Sequence, residues 1–207
     1  MSEELVVALG DARLVERDMR LLVPGGWLND QLIAYYFEHL ARNIAADALL
    51  LEPSLSHMAA ILQDSDTLCE MLSVPSTRGA TSIADQMRAC PLVITPINDK
   101  SDPDEIEGGC HWSLLVFRRW AGMGQGSGSG KFEHYDSCKG VNAPHARAVA
   151  RCLLPLLQPG VGGVTIQLVA MQTPQQATPS QTVLVATSHL GPRGSSSSPM
   201  YHARHTD

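Results

Sequence analysis

The run Gly108-Gly109-Cys110-His111-Trp112-Ser113-Leu114-Leu115-Val116-Phe117 constrains this chain more than any other stretch. Its two glycines permit a tight turn, and the apolar residues behind them, with β-branched and aromatic members, predict a buried strand that begins at His111. A second short strand is expected over Lys131-Phe132-Glu133-His134-Tyr135-Asp136-Ser137. The Gly- and Ser-rich stretch from Gly122 to Gly130 has the composition of a hairpin connection between the two. Antiparallel pairing across it would bring His111 and Asp136 together.

A carboxylate beside an imidazole fixes its tautomer and stabilises its protonated form, which a general base needs when it activates a nucleophile. The same pair also serves as a plain structural hydrogen bond, and spacing alone leaves both roles open. The surrounding residues add a resemblance. Gly-Gly-Cys-His-Trp-Ser-Leu-Leu-Val at Gly108 to Val116, His-Tyr-Asp-Ser at His134 to Ser137, and Trp27-Leu28-Asn29-Asp30 upstream are similar to motifs of the ubiquitin-like-protein proteases. These are cysteine peptidases that process SUMO- and Nedd-type modifiers, and the likeness runs from about Val6 to Gln176.

The resemblance implies an α+β, papain-like fold with a central mixed or antiparallel sheet packed by helices. It makes His111 the base, Asp136 its orienting acid and Gln175 the oxyanion donor, and it places Trp27, Asp30 and Trp112 along the channel for the modifier's Gly-Gly tail. An aromatic lid suits a glycine backbone that has no side chains, and a carboxylate can pair with a basic tail residue. Read without the resemblance, Trp27 is a core tryptophan and Asp30 a helix cap, and both readings can hold at once.

With 207 residues, 44% hydrophobic and 17% charged, the chain can bury one sizeable core, expected over residues 1–186. A net charge of −6 argues against binding a phosphate backbone, so no nucleic-acid partner is expected. No run approaches the length of a membrane span, and the start lacks a signal-peptide pattern, so the expectation is a soluble monomer of the cytoplasm or nucleus. Five scattered cysteines without paired spacing predict reduced thiols rather than a disulfide framework or zinc ribbon, and no metal or other cofactor is expected.

Along the chain, Leu5 to Leu9 is expected as a strand and Asp11 to Leu22 as a short helix or an irregular docked segment. Asn29 or Asp30 should cap a helix whose buried stripe is Leu32, Ile33, Tyr36, Phe37, Leu40 and Ile44. Short helices are predicted around Ala46–Leu51 and Ser56–Leu62, the second capped by Ser54 or Ser56, and a loop over Pro75 to Ser82. Pro91 to Ile97 reads as a buried strand, followed by an acidic turn-forming loop from Asn98 to Glu105. The pattern is helical again from Pro144, with Pro155 expected to kink or end that helix early, and a last strand is predicted at Val164–Val169.

The likeness stops after Gln172-Thr173-Pro174-Gln175-Gln176. The family pattern continues, about six residues past the glutamine, with an Asp-Cys-Gly whose cysteine is the nucleophile. Counted without gaps that place is held by Gln181, and no cysteine follows Cys152 in the sequence. A glutamine side chain cannot attack an acyl carbon as a thiolate does. Val183 to Ala186 is expected as a packed remnant and residues 187–207 as a disordered tail. Among other thiols, Cys138 should share a face with Asp136 and Cys110 should point away from His111, and a buried or incidental thiol is the favoured reading for both.

The expectation is therefore a cysteine isopeptidase or endopeptidase scaffold that cleaves after the Gly-Gly tail of a Nedd- or SUMO-type modifier, deneddylation foremost, with its nucleophile absent. The alternative is an inactive, modifier-binding pseudoprotease or a truncated isoform.

Overall fold

The structure is a computed structural model that describes residues 4–23, 26–43, 47–75, 81–99, 111–120, 130–138, 140–160 and 166–176. The calls on Cys110, Gln181, the Val183–Ala186 remnant and the 187–207 tail therefore lie outside the described residues, as do most of the Gly122–Gly130 connection, most of the Pro75–Ser82 and Asn98–Glu105 loops and the first two residues of the strand expected at Val164–Val169.

The chain opens with strands β1 (Leu5–Leu9) and β2 (Ala12–Val15), paired antiparallel in a sheet of their own. The turn between them uses Gly10 at φ +59, where a side chain would be strained and a Cβ would strike the Glu38 carboxylate. A one-turn helix α1 (Glu16–Met19) follows, so the segment expected as helix or irregular is one third strand and one third helix. Of the predicted stripe, helix α2 (Asp30–Ala41) buries Leu32, Ile33 and Phe37 and leaves Tyr36 and Leu40 half-buried, while Ile44 lies outside the described residues. Its cap is Asn29 rather than Asp30: the Asn29 side-chain oxygen accepts from the Leu32 amide at 3.0 Å.

Ala48–Leu50, within the stretch expected to be helical, is instead strand β3. Its Ala and Leu residues favour a helix locally, but parallel pairing with the next strand prevails. Helix α3 (Pro53–Leu62) is capped two and four residues before the predicted Ser54 and Ser56: Glu52 holds the cap position and Pro53 opens the helix. Helices α4 (Ser65–Ser73), capped by Asp64, and α5 (Ile83–Ala89), capped by Ser82, were not read from the sequence.

Strands β4 (Leu92–Asn98), β5 (Trp112–Arg119) and β6 (Gly130–Tyr135) form an antiparallel meander. Pro96 sits inside β4 without breaking it, because β3 pairs only as far as Ile94 and leaves that backbone edge open beyond. Helix α6 (Ala143–Leu157) runs through Pro155 and stops two residues later, so the proline is accommodated in the last turn. Strand β7 (Leu168–Met171) pairs parallel to β6 and lies toward the C-terminal side of the predicted strand.

The order β3-β4-β5-β6-β7 gives a five-stranded mixed sheet with helices on both faces, in agreement with the expected α+β architecture. On one face Val93, Ile97, Leu115, Phe117 and Phe132 pack against α3 to α6, and on the other Ile94 and Val116 pack against Ile33 and Phe37 of α2. Alternation along β5 sends odd and even residues to opposite faces. His111 and Trp112, adjacent in sequence, are thereby assigned to different sides of the sheet.

Candidate active site

His111 stands immediately before β5, buried, with its amide donating to Asp99 Oδ1 at 2.9 Å. Its carbonyl accepts from the Asp99 amide at 3.3 Å and from Asn142 Nδ2 at 3.1 Å. The ends of β4, β5 and α6 thus fix the histidine backbone before its side chain makes any contact.

Asp136 follows β6, also buried, and its Oδ1 lies 2.7 Å from His111 Nε2. The predicted approach of these residues across the hairpin is what the fold produces. The same carboxylate accepts from the Cys138 amide at 2.8 Å and, through Oδ2, from the Asn142 amide at 3.0 Å. Burial pushes the Asp136 carboxyl up, but the hydrogen bonds from Cys138, His111 and Asn142 together outweigh it and hold it below the ordinary aspartate range. An anionic Asp136 on Nε2 leaves Nδ1 as the imidazole nitrogen for proton exchange with a reacting group.

The segment after β7 closes against Asp136 from the other side. Thr173 Oγ1 donates to the Asp136 carbonyl at 2.6 Å, Gln175 Nε2 reaches the same oxygen at 3.2 Å, and the Gln176 amide donates to the Ser137 carbonyl at 2.9 Å. Gln175 is therefore brought to the His111–Asp136 pair, with its amide engaged on main-chain and Thr173 oxygens.

The other three predicted residues lie at the start of α2 and at the start of β5. Trp27 is 39% exposed, Asp30 is exposed in the first turn of α2, and Trp112 is half-buried beside the α2 face of the sheet. Trp112 Nε1 donates to the Leu28 carbonyl at 2.8 Å, which ties this group to the strand that begins beside His111.

Three contributors escaped the sequence reading. Asp18, almost fully buried, accepts from Asn29 Nδ2 at 2.7 Å and from the Val15 amide at 2.9 Å, and so anchors the cap at which α2 starts. Asn142 and Thr173 fix the pair itself. Each has a contact distant in sequence, Asp18 to Asn29, Asn142 to His111 and Thr173 to Asp136, and an isolated Asp, Asn or Thr carries no signal of that.

Below the pair, His134 Nε2 lies 2.9 Å from Ser113 Oγ, and burial holds this imidazole below the ordinary histidine range despite the nearby Asp136 charge. Among the described residues no group of three or more His, Cys, Asp or Glu side chains converges on a metal position, and no helix is long and apolar enough to cross a membrane. Cys138, half-buried, is the described thiol nearest to Asp136 in sequence.

No family model matches the chain. Individual relatives do. A probable sentrin-specific protease 8 from Dictyostelium discoideum is 27% identical over 185 residues, 85% of this chain and 69% of its own length. The NEDD8-specific protease 1 of Arabidopsis thaliana is 26% identical over 76% of the chain, and the human sentrin-specific protease 8 is 28% identical over 84%. The chain spans 62% of the Arabidopsis protein and 74% of the human one. Among solved structures, the SUMO protease Ulp1 with its catalytic cysteine oxidised to a sulfinic acid superposes with a TM-score of 0.55 at 16% identity, over 82% of this chain and 67% of that one. That likeness speaks for the fold, a Ulp1-like cysteine protease fold with a helix-packed mixed sheet. Taken with the relatives in sequence, it makes this chain similar, over most of its length, to sentrin-specific, ubiquitin-like-protein proteases.

Proposed function

We propose that this chain recognises the Gly-Gly tail of a ubiquitin-like modifier, Nedd-type before SUMO-type, on the machinery of a cysteine isopeptidase. The observation that carries the reading is the buried 2.7 Å contact between His111 Nε2 and Asp136 Oδ1. Trp27, Asp30 and Trp112 line the tail channel, and Gln175, on releasing the Asp136 and Thr173 oxygens that its Nε2 now holds, donates to the oxygen of the bound carbonyl. Preference for a Nedd-type modifier follows the relative named for NEDD8.

The reaction served by such a site is acyl transfer. A thiol gives its proton to His111 Nδ1 and attacks the terminal glycine carbonyl, and the imidazolium then protonates the departing lysine amine. Water, deprotonated by the same nitrogen, hydrolyses the thioester. Asp136 holds the ring and stabilises its charged form throughout. With Gln181 at the counted nucleophile position, the reading for this sequence is tail binding without turnover.

A second reading rests on Cys138, whose amide binds the same oxygen of Asp136 that His111 does. Intact mass after incubation with a Nedd-type modifier bearing a C-terminal electrophile separates the two, with a SUMO-type probe in parallel. Binding without turnover predicts no adduct, together with a titratable complex with the intact modifier that Trp27→Ala weakens at least tenfold. An adduct lost in both His111→Ala and Cys138→Ser would establish the thiol enzyme instead. Neither adduct nor complex would sink both readings.

A further inference from the structure

Asn142 occupies the cap position of α6, a place where asparagine ordinarily turns its side-chain oxygen to the first-turn amides. Here the side chain makes no capping bond, although the Asn142 carbonyl still starts the helix by accepting from the Ala146 amide at 2.9 Å. Instead the fully buried amide crosses to the sheet. Nδ2 donates to the Ile97 carbonyl at 3.0 Å and to the His111 carbonyl at 3.1 Å, and because both neighbours are acceptors the NH2 end must face them. The main-chain N–H of the same residue donates to Asp136 Oδ2 at 3.0 Å.

We propose that Asn142 is the positioning residue of the site: its side chain fixes the His111 backbone while its amide fixes the Asp136 carboxylate, so one residue sets the separation of base and acid. The inference rests on the reading of that pair as the working centre. A cap residue whose side chain serves only stability would point into its own helix. This one leaves its first turn uncapped and leaves its own buried Oδ1 without a hydrogen-bond partner among the described residues. What it obtains in return is a two-carbonyl clamp where β4 ends and β5 begins.

The test needs no substrate. In full-length protein with 15N-labelled histidine, the His111 Nε2 proton shared with Asp136 should give a low-field resonance protected from exchange, assigned by its absence in His111→Gln. Asn142→Ala removes both side-chain donors and keeps the main-chain N–H. It should abolish that resonance or move it markedly upfield, and Asn142→Ser, with one donor left, should restore part of it. Arg119→Lys, which loosens the far end of α6, serves as a comparably destabilised control and should leave the resonance unchanged.

A folded Asn142→Ala protein with the wild-type resonance would overturn the proposal. So would loss of folding in both Asn142 variants while Arg119→Lys folds, since Asn142 would then be a general core residue. Absence of the resonance from the wild-type protein would sink the His111–Asp136 pair and the proposed function with it. Its presence without sensitivity to Asn142 would sink only the positioning role.

Discussion

The indole of Trp112 donates to the carbonyl of Leu28 at 2.8 Å, a bond across 84 residues that joins the start of β5 to the approach of α2. The residues on either side of that bond are the ones a modifier tail would meet. Replacing Trp112 by Phe keeps the ring packed near Ile33 and Val116 and removes the donor alone. The expected cost is about 1 kcal/mol of stability, the net worth of one partly buried neutral hydrogen bond. Urea unfolding measures it, and a titration with intact Nedd-type modifier should show a larger loss, because Leu28 sits beside Trp27. Equal losses in the two measurements would mean that the bond braces the fold without shaping the channel.

A second expectation concerns acid. The folded-state pKa of His134 lies below the ordinary histidine range because burial opposes its charge. The unfolded chain then binds the proton more readily, so the His134 contribution to stability is complete above about pH 6.5 and is lost as pH falls through the folded value. His134→Gln can keep a hydrogen bond to Ser113 without titrating. Its unfolding free energy should fall less steeply than wild type between about pH 6.5 and 5, and parallel slopes would refute the assignment.

Glu133 is buried against the opposite face, held by Lys131 Nζ at 2.8 Å, the Tyr135 hydroxyl at 3.0 Å and Arg118 at 3.3 Å. Burial pushes its carboxyl up, but the Lys131 and Tyr135 hydrogen bonds and the Arg118 charge leave it below the ordinary glutamate range. Its stabilising contribution is therefore complete above about pH 4.5 and lost as pH falls through the folded value. Glu133→Gln should cost about 1–3 kcal/mol, less than a sealed ion pair because the Arg118 side chain is 43% exposed. Guanidinium unfolding at pH 7 checks the size, and the difference from wild type should shrink near pH 4.

Arg119 reaches three main-chain oxygens, Met87 at 2.9 Å, Leu157 at 3.0 Å and Cys90 at 3.3 Å. It clasps the ends of α5 and α6 to the sheet, and a lysine ammonium cannot span all three directions. Arg119→Lys should lower stability by about 1.5–3 kcal/mol in chemical unfolding and leave modifier binding within about twofold, a change near 0.4 kcal/mol. A larger binding defect would show that the clasp also shapes the site.

What the sequence disclosed follows from how locally each feature is determined. His111 and Asp136 flank two strands that are neighbours in sequence, so alternation and turn composition sufficed to bring them together. The α2 stripe and the Asn29 cap were readable for the same reason, being set within four residues of each other. Ala48–Leu50 was not, because three residues with helical preference become a strand only when β4 is already beside them. Nor was Asn142, whose ordinary local role is the cap it declines, and whose bonds go to Ile97 and His111, 45 and 31 residues away.

The sheet is antiparallel in its middle and parallel at both margins. Contacts between strands that are near neighbours along the chain close small loops and form early, whereas parallel margins must wait for crossovers. His111 and Asp136 both stand at ends of the central meander. The half of the chemistry that moves protons would thus be assembled in the fast-folding part of the molecule, ahead of β7 and everything beyond it. Under the proposed function, sequence change in those later segments would alter what the protein does to a bound tail while the imidazole and its carboxylate still meet.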